Sequence, residues 1–149
     1  MPSLVSGGTF TNNWKNILDK LRNILRNEFK GSLPVYIGDE GSEGSQFIRI
    51  EPIGSEMLEY NISSESREFS ITIYYYFAEH NLKKTALDHV LRYVSRIEAL
   101  IHDNTSVTLA DSSNLYNCRL ETMELNPDEE SGVYIAQWEW KGQHTGNIS

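Results

Sequence analysis

One glycine-rich segment, residues 38–45 (GDEGSEGS), contains side chains that could bind a cation. Asp39, Glu40 and Glu43 supply three carboxylates, the ligand type that divalent cations prefer. Their spacing differs from that of an Asp-x-Asp-x-Asp-Gly calcium loop, and carboxylates without a rigid frame bind cations weakly. The segment also lacks the Gly-Lys-Ser/Thr ending of a phosphate-binding loop, and its negative charge repels phosphate. We therefore predict a flexible acidic loop without a metal or a nucleotide.

The histidines, the cysteine and the paired carboxylates form no catalytic pattern. The four histidines are His80, His89, His102 and His144. No two of them are four residues apart on a helix, and none has a Cys or a carboxylate beside it in a zinc arrangement. Cys118 has no Cys-His signature around it and is predicted to be a small buried residue, while Glu121 and Glu124 fall on opposite faces of a strand. With no Gly-x-Ser-x-Gly sequence either, we expect no cofactor and no enzymatic activity.

The composition predicts one acidic domain. A chain of 149 residues is long enough for a single ordinary core. Its 13 basic and 21 acidic side chains give a formal charge of −8, which disfavours tight, sequence-independent binding of nucleic acid. No stretch approaches the run of about 20 apolar residues that spans a bilayer, so we expect no membrane partner.

Two segments have the three- and four-residue spacing of apolar side chains that indicates an amphipathic helix. The first covers residues 13–29, and Asn12 or Asn13 is suited to cap its start. The second covers about residues 84–102. Its apolar stripe consists of Leu87, Val90, Leu91, Val94, Ile97 and Ile101. Both helices need an apolar surface on which to pack.

That surface is predicted to be a sheet of about five strands. The strands are expected at residues 33–38, 46–53, 67–77, 115–125 and 132–141. A short extra strand is possible at 57–62, and a change of phase predicts a β-bulge near Glu121 or Thr122. The fold class is therefore α+β, a mostly antiparallel twisted sheet packed by two amphipathic helices. Residues 13–141 form the domain, and 1–12 and 142–149 are expected to be flexible tails.

The strand at residues 67–77 shows the clearest alternation in the chain. Its apolar odd-numbered residues are expected to face the helices; they are Phe69, Ile71, Ile73, Tyr75 and Phe77. Tyr74 and Tyr76 then lie on the opposite face, and large amphipathic side chains of this kind are enriched where proteins meet. They are our candidate subunit interface, although two half-exposed sheet tyrosines would look the same in sequence.

The order of these elements resembles a family of phage proteins. The resemblance rests on the helix at 14–29, the PVYIG strand, the strand that carries ESREFSITIYYYF at 65–77, the helix at 87–101, and the closing hairpin that ends in WEWKG at 138–142. Together they resemble the small neck and tail-terminator (tail-completion) proteins of tailed bacteriophages. The likeness is one of element order and covers most of residues 13–142.

The resemblance implies a non-enzymatic virion subunit, assembled in the bacterial cytoplasm. Such a subunit forms a homo-oligomer, typically a hexameric ring, that caps the tail tube and joins tail to head, next to tail-tube and head-connector proteins. DNA would pass through without tight binding. The acidic loop at residues 38–45 is not a hallmark of the family, and its Asp39, Glu40 and Glu43 are our own candidates for residues near the channel or a partner. The alternative is a small ligand-binding or regulatory domain with a pocket between the helices and the sheet.

Overall fold

The computed structural model describes residues 12–30, 32–38, 46–61, 64–78, 86–128 and 133–147. In chain order the elements are α1 Asn13–Phe29, β1 Val35–Ile37, β2 Gln46–Tyr60, β3 Ser64–Ala78, α2 Ala86–His102, β4 Val107–Thr108, β5 Asn114–Asp128 and β6 Val133–Asn147. Within these ranges, neither helix is long and apolar enough to cross a membrane.

The strands form one mixed sheet in the order β1-β2-β3-β6-β5-β4. β1 runs parallel to β2, and every other neighbouring pair is antiparallel. The predicted α+β class with two helices is confirmed, and the expected number of about five strands is corrected to six. The additional strand, β4, has only two residues, which is too short for a period-two pattern to appear in the sequence.

Both helices contribute to one hydrophobic core on the odd-numbered face of β3. The buried residues of β3 are Phe69, Ile71, Ile73, Tyr75 and Phe77, as the alternation predicted. On β6 they are Tyr134, Ala136, Trp138 and Trp140, on α1 Ile17, Leu18, Leu21, Leu25 and Phe29, and on α2 Val90, Val94, Ile97 and Ile101. The helices thus cover this face of the sheet where the core residues lie, and the other face carries mixed polar and aromatic residues.

Helix α1 has the predicted bounds because both of its ends are capped. The side chain of Asn12 accepts a hydrogen bond of 3.0 Å from the backbone N–H of Lys15. At the other end Lys30 takes a left-handed conformation (φ 48°), and its N–H donates to the carbonyl of Arg26 at 2.8 Å.

Strand β5 contains two irregularities. One lies between Leu120 and Thr122, which confirms the bulge predicted near this point. The other lies between Tyr116 and Arg119, where Asn117 has a positive φ of 52°. Because the extra residue shifts the alternation, Tyr116 is 37% exposed although Cys118, two residues further on, is buried.

Two strands run six or seven residues past their predicted ends, β2 to Tyr60 and β6 to Asn147. β6 continues through Asn147, so the flexible tail expected at 142–149 is wrong for residues 142–147. Residues 142–147 pair with residues 64–69 of β3, and the backbone hydrogen bonds of this ladder extend the strand. The polar side chains of residues 142–147 show no strand pattern in the sequence, which is why the extension was not predicted. The short strand considered at 57–62 is the end of β2, which runs on to Tyr60.

Candidate functional site

The face of the sheet that is turned away from the helices carries an aromatic cluster around the predicted interface residues. Tyr74 and Tyr76 are half-buried there, and Tyr76 lies directly opposite Phe47 of β2. The rings of Tyr76 and Phe47 stack, with 4.8 Å between their centroids and 21° between their planes. The ring of Tyr36 lies 5.8 Å from that of Phe47. We call Tyr36, Phe47, Arg49, Tyr74 and Tyr76 the outer aromatic cluster.

Arg49 belongs to this cluster through its charge. Its guanidinium carbon lies 5.4 Å from the ring centre of Phe47 and 5.8 Å from that of Tyr36, within the range of a cation–π contact. The same side chain donates a hydrogen bond to the carbonyl of Gly38. The cluster borders a shallow depression of about 210 Å³, which Glu51 and Ile135 complete. An arginine among rigid aromatic rings is the composition of a protein-binding hot spot.

Sequence reasoning found Tyr74 and Tyr76, two of the three tyrosines of this cluster, and missed Tyr36, Phe47 and Arg49. The alternation in QFIRIE places Phe47, Arg49 and Glu51 on the face opposite the buried Ile48 and Ile50. This alternation is visible in the sequence and could have identified Phe47 and Arg49 as residues of the outer face. The register that sets Phe47 against Tyr76 depends on strand pairing, which the local sequence does not give.

A second polar group on the same face is an ionic cluster around Glu68. This carboxylate accepts hydrogen bonds from Arg119 at 2.9 Å and Gln143 at 3.1 Å, and Lys141 lies 3.9 Å away. Burial acts to raise the pKa of Glu68, but the hydrogen bonds and the two positive charges outweigh it and hold that pKa below its usual value. The cluster joins β3, β5 and β6 and leaves the carboxylate ionised, which suits a structural role.

Three residues with the types of a catalytic triad meet near the end of β6. Ser113 donates a hydrogen bond to Asp111, and Nε2 of His144 lies 3.0 Å from the Ser113 hydroxyl. In a triad the histidine stands between the carboxylate and the serine, and removes the serine proton. Here the serine stands between them, so its proton is directed to the carboxylate and His144 has no nucleophile to activate. Burial lowers the pKa of His144, against the opposing charge of Asp111.

The other sequence candidates for chemistry are equally unsuited to it. Cys118 is buried as predicted, and burial raises the pKa of its thiol to about 11 despite the nearby charge of Arg119, so the reactive thiolate is scarce at neutral pH. His89 packs between Phe77 and Tyr93, with ring centres 4.9 and 4.7 Å away. Among the residues that the structure describes, no three His, Cys, Asp or Glu side chains form a group that could hold a metal.

The acidic residues Asp39, Glu40 and Glu43, together with His80, lie outside the described residues. The ligand pocket expected under the alternative reading would lie between the helices and the sheet. That space holds Trp138 and Trp140, with 0% and 1% exposure. The depressions that described residues line at the surface measure about 210 to 270 Å³, below the usual range of about 300–1,000 Å³ for small-molecule sites.

Among the residues that the structure describes, two groups of apolar side chains are exposed. The first is on the last eight residues of β2, residues 53–60, which we call the arm: Ile53, Met57, Leu58 and Tyr60 are 46% to 63% exposed. The second is on α2, where Leu87 is 45% and Leu91 42% exposed. Both leucines were predicted to continue the buried stripe; that prediction is wrong because the core contact follows Val90, Val94, Ile97 and Ile101, and the two leucines lie to one side of it.

The fold has counterparts among solved structures. No family model matches the chain, and no curated protein matches its sequence. A chain from the virion of a native gene transfer agent particle superposes with a TM-score of 0.64 at 10% identity, and the match covers 89% of this chain and 93% of that one. Another solved structure, which carries no functional description, superposes with a TM-score of 0.59 at 9% identity over 93% of this chain and 99% of the other. At these identities the likeness establishes a shared fold.

Proposed function

We propose that this protein is a non-enzymatic structural subunit of a phage-like virion, either a tail terminator or a neck ring protein. In this role it forms a homo-oligomeric ring, with six subunits as the expected number, between tail-tube and head-connector proteins. DNA passes through the ring as cargo. The chain is assembled into the particle in the cytoplasm of the bacterial host.

The observation that carries this proposal is the fold likeness to a component of a gene transfer agent virion, which extends over almost the whole of both chains. The resemblance of the sequence to tail-terminator and neck proteins, which rests on the order of elements in this chain, points to the same role. A shared fold alone does not fix a function, so the surfaces must also suit the role.

The surfaces do suit an assembly subunit. The described residues present an outer aromatic cluster and two groups of exposed apolar side chains, and apolar side chains grouped at a surface are common at sites of association. The formal charge of −8 suits the wall of a channel through which a polyanion must slide without being held. By contrast, the filled space between helices and sheet gives the ligand-binding alternative little support.

Particles from the bacterial host that carries this gene provide the direct test. Quantitative mass spectrometry of purified particles should detect the chain at about six copies, the count of one closed ring. Deletion of the gene should leave heads and tails unjoined or tails of irregular length in electron micrographs. Absence of the chain from intact particles would refute the virion role.

The purified chain tests the interface residues. Light scattering after size exclusion should show a concentration-dependent oligomer, alone or on added tail tubes, and Tyr74→Ala should weaken it at least tenfold, the effect of a moderate hot spot. Tyr116→Ala is the matched control, since Tyr116 is an exposed sheet tyrosine outside the outer aromatic cluster. Equal effects of the two substitutions would remove Tyr74 from the interface.

A further inference from the structure

We propose that residues 1–11, which we call the N-terminal segment, pack over the arm on the side of the sheet where the helices lie. The N-terminal segment is outside the residues that the structure describes, and the proposal names the surface that it binds. The contact forms within a single chain, so it goes beyond the proposed function and does not depend on it.

The surface to be covered consists of Met57 and Tyr60. Met57 pairs with Arg67 and Tyr60 pairs with Glu65, and both partners lie on the same face of β3 as the buried Phe69. Met57 is 47% and Tyr60 63% exposed. Arg67 and Glu65 form an ion pair with each other, so this side of the arm carries no net charge.

The carboxylates of the arm lie on its opposite side. Glu56 pairs with Glu68 and Glu59 pairs with Ser66, which places both carboxylates on the outer face of the sheet. A segment that binds on the helix side therefore meets apolar side chains and a neutral ion pair, and it needs apolar side chains without charge.

The N-terminal segment, MPSLVSGGTFT, has this composition. It contains no Asp, Glu, Lys or Arg, and its larger apolar side chains are Leu4, Val5 and Phe10. Burying such side chains against Met57 and Tyr60 removes apolar surface from water on both sides of the contact.

Helix α1 directs the N-terminal segment toward the arm because the helix lies along β3. At the start of α1 the ring of Trp14 meets that of Phe69, with 4.8 Å between centroids. At its end the ring of Phe29 lies 5.5 Å from that of Tyr93, which stacks on Tyr75 at 5.5 Å. The helix spans about 22 Å between Trp14 and Phe29, and β3 spans about 20 Å between Phe69 and Tyr75. The two elements are thus aligned, and the start of α1 faces the arm.

The N-terminal segment is long enough to cover both side chains. Along β3 the partners of Met57 and Tyr60 lie about 7 and 13 Å beyond Phe69. An extended chain covers about 3.3 Å per residue, so about four residues ahead of Asn12 span the longer of these distances. The remaining residues of the segment allow Leu4 and Val5 to contact the arm as well as Phe10.

The chain's own segment is a better occupant of the arm than a second copy of the chain. Because the segment is tethered beside the arm, its effective concentration there is about millimolar, whereas a second copy binds only at its own concentration in solution. A second copy also carries a formal charge of −8 and would approach the carboxylates of Glu56 and Glu59. The N-terminal segment has no charged side chain to repel.

A covered arm changes which surfaces are left for other subunits. Binding of the N-terminal segment makes Met57 and Tyr60 part of the chain's own packing. The outer aromatic cluster and the exposed Leu87 and Leu91 of α2 then remain for contacts between subunits.

Thiol labelling at two adjacent positions of the arm tests the proposal. Met57→Cys and Glu56→Cys are each made in the full-length chain and in a chain that lacks residues 2–9 and keeps the Asn12 cap. Deletion should raise the rate of reaction with a soluble thiol reagent about threefold or more for Met57→Cys. It should leave the rate for Glu56→Cys unchanged, because Glu56 lies on the other side of the strand.

The chain without an introduced cysteine gives the background, since its Cys118 is buried. Circular dichroism establishes that each variant is folded before labelling. No rise at Met57→Cys, or an equal rise at both positions, overturns the proposal.

A full-length variant separates apolar contact from the mere presence of the segment. Leu4→Ser, Val5→Ser and Phe10→Ser together keep the length of the chain and should raise the Met57→Cys rate as the deletion does. The matched control replaces the two serines of the same segment by alanine, at positions 3 and 6, and should leave the rate unchanged. Labelling of the triple variant at the rate of the unchanged segment contradicts the proposal.

Protein concentration distinguishes the N-terminal segment from a second copy. The labelling rate of full-length Met57→Cys should not change with protein concentration, because the contact forms within one chain. A rate that falls as the concentration rises means that a second copy covers the arm, and the proposal fails. The virion role is judged by the presence of the chain in particles, so either can fail while the other stands.

Discussion

The two halves of strand β2 have the same backbone structure and opposite environments. In the first half Ile48 and Ile50 have no exposed surface, and β1 and α1 lie beside them. In the second half, the arm, Ile53 is 58% and Tyr60 63% exposed. Both halves pair continuously with β3 apart from the bulges.

This difference shows that backbone pairing, and not burial, defines the length of the strand. The hydrogen bonds of the β2–β3 ladder satisfy the peptide groups of the arm whether or not its side chains are covered. Apolar side chains in the first half stabilise the fold through burial, about 25 cal/mol per Å². Those in the arm contribute less in this way, because Ile53 is 58% and Tyr60 63% exposed.

Substitutions in the covered core and in the arm test whether only the core side chains stabilise the fold. Trp138→Ala removes a side chain with 0% exposure and should lower the free energy of unfolding by about 3–5 kcal/mol. Tyr60→Ala, at the end of the arm, should change it by about 0.5 kcal/mol or less. Urea unfolding followed by circular dichroism, at concentrations where the chain is monomeric, measures both. A loss above about 2 kcal/mol for Tyr60→Ala would show that the arm is part of the folded core.

Two glycines sharpen the comparison at the level of a single methyl group. A Cβ at Gly142 would meet the ring of Trp140, with Cζ2 at 2.8 Å, and the sulfur of Cys118 at 3.2 Å. Gly142→Ala should therefore lower the free energy of unfolding by about 1–3 kcal/mol through overpacking. At Gly54, where the arm begins, a Cβ would have nothing within 4 Å. Gly54→Ala should be neutral or slightly stabilising, and thermal unfolding of the two variants side by side would show whether packing is tight only beneath the helices.

The covered region is also the one that sequence predicted best. The bounds of α1 and the buried odd-numbered face of β3 follow from local periodicity, because a buried stripe must repeat with the period of its element. Strand pairing is not local. The parallel β1–β2 pair, the two-residue β4 and the extension of β6 through polar residues 142–147 all depend on partners distant in sequence.

The candidate interaction surfaces were predicted only in part, again because the pairing of strands cannot be read from local sequence. Tyr74 and Tyr76 stand out because they alternate with a buried row, whereas Phe47 joins them only through the register of β2 on β3. Leu87 and Leu91 fit a helical stripe equally well whether they face the core or a neighbour. Periodicity identifies an apolar side of a helix but does not say what covers it.

The ionic cluster around Glu68, which lies opposite Glu56 of the arm, gives the smallest of the three expected losses of stability and a test by pH. Glu68 has a folded-state pKa below its ordinary value of 4.5, so the stability that it contributes is fully present above that value and is lost as the pH falls through the folded-state pKa. Glu68→Gln should cost about 1 kcal/mol at neutral pH, because the hydrogen bonds that Arg119 and Gln143 donate to a carboxylate become hydrogen bonds to a neutral amide. Urea titrations should show the gap between wild type and variant closing as the pH falls below 4.5. In the control Glu124→Gln, on an exposed residue of the same face, the gap should stay near zero at every pH. If the difference in free energy of unfolding between wild type and Glu68→Gln persists at low pH, the side chain acts through packing. Its charge would then not be what holds β3, β5 and β6 together.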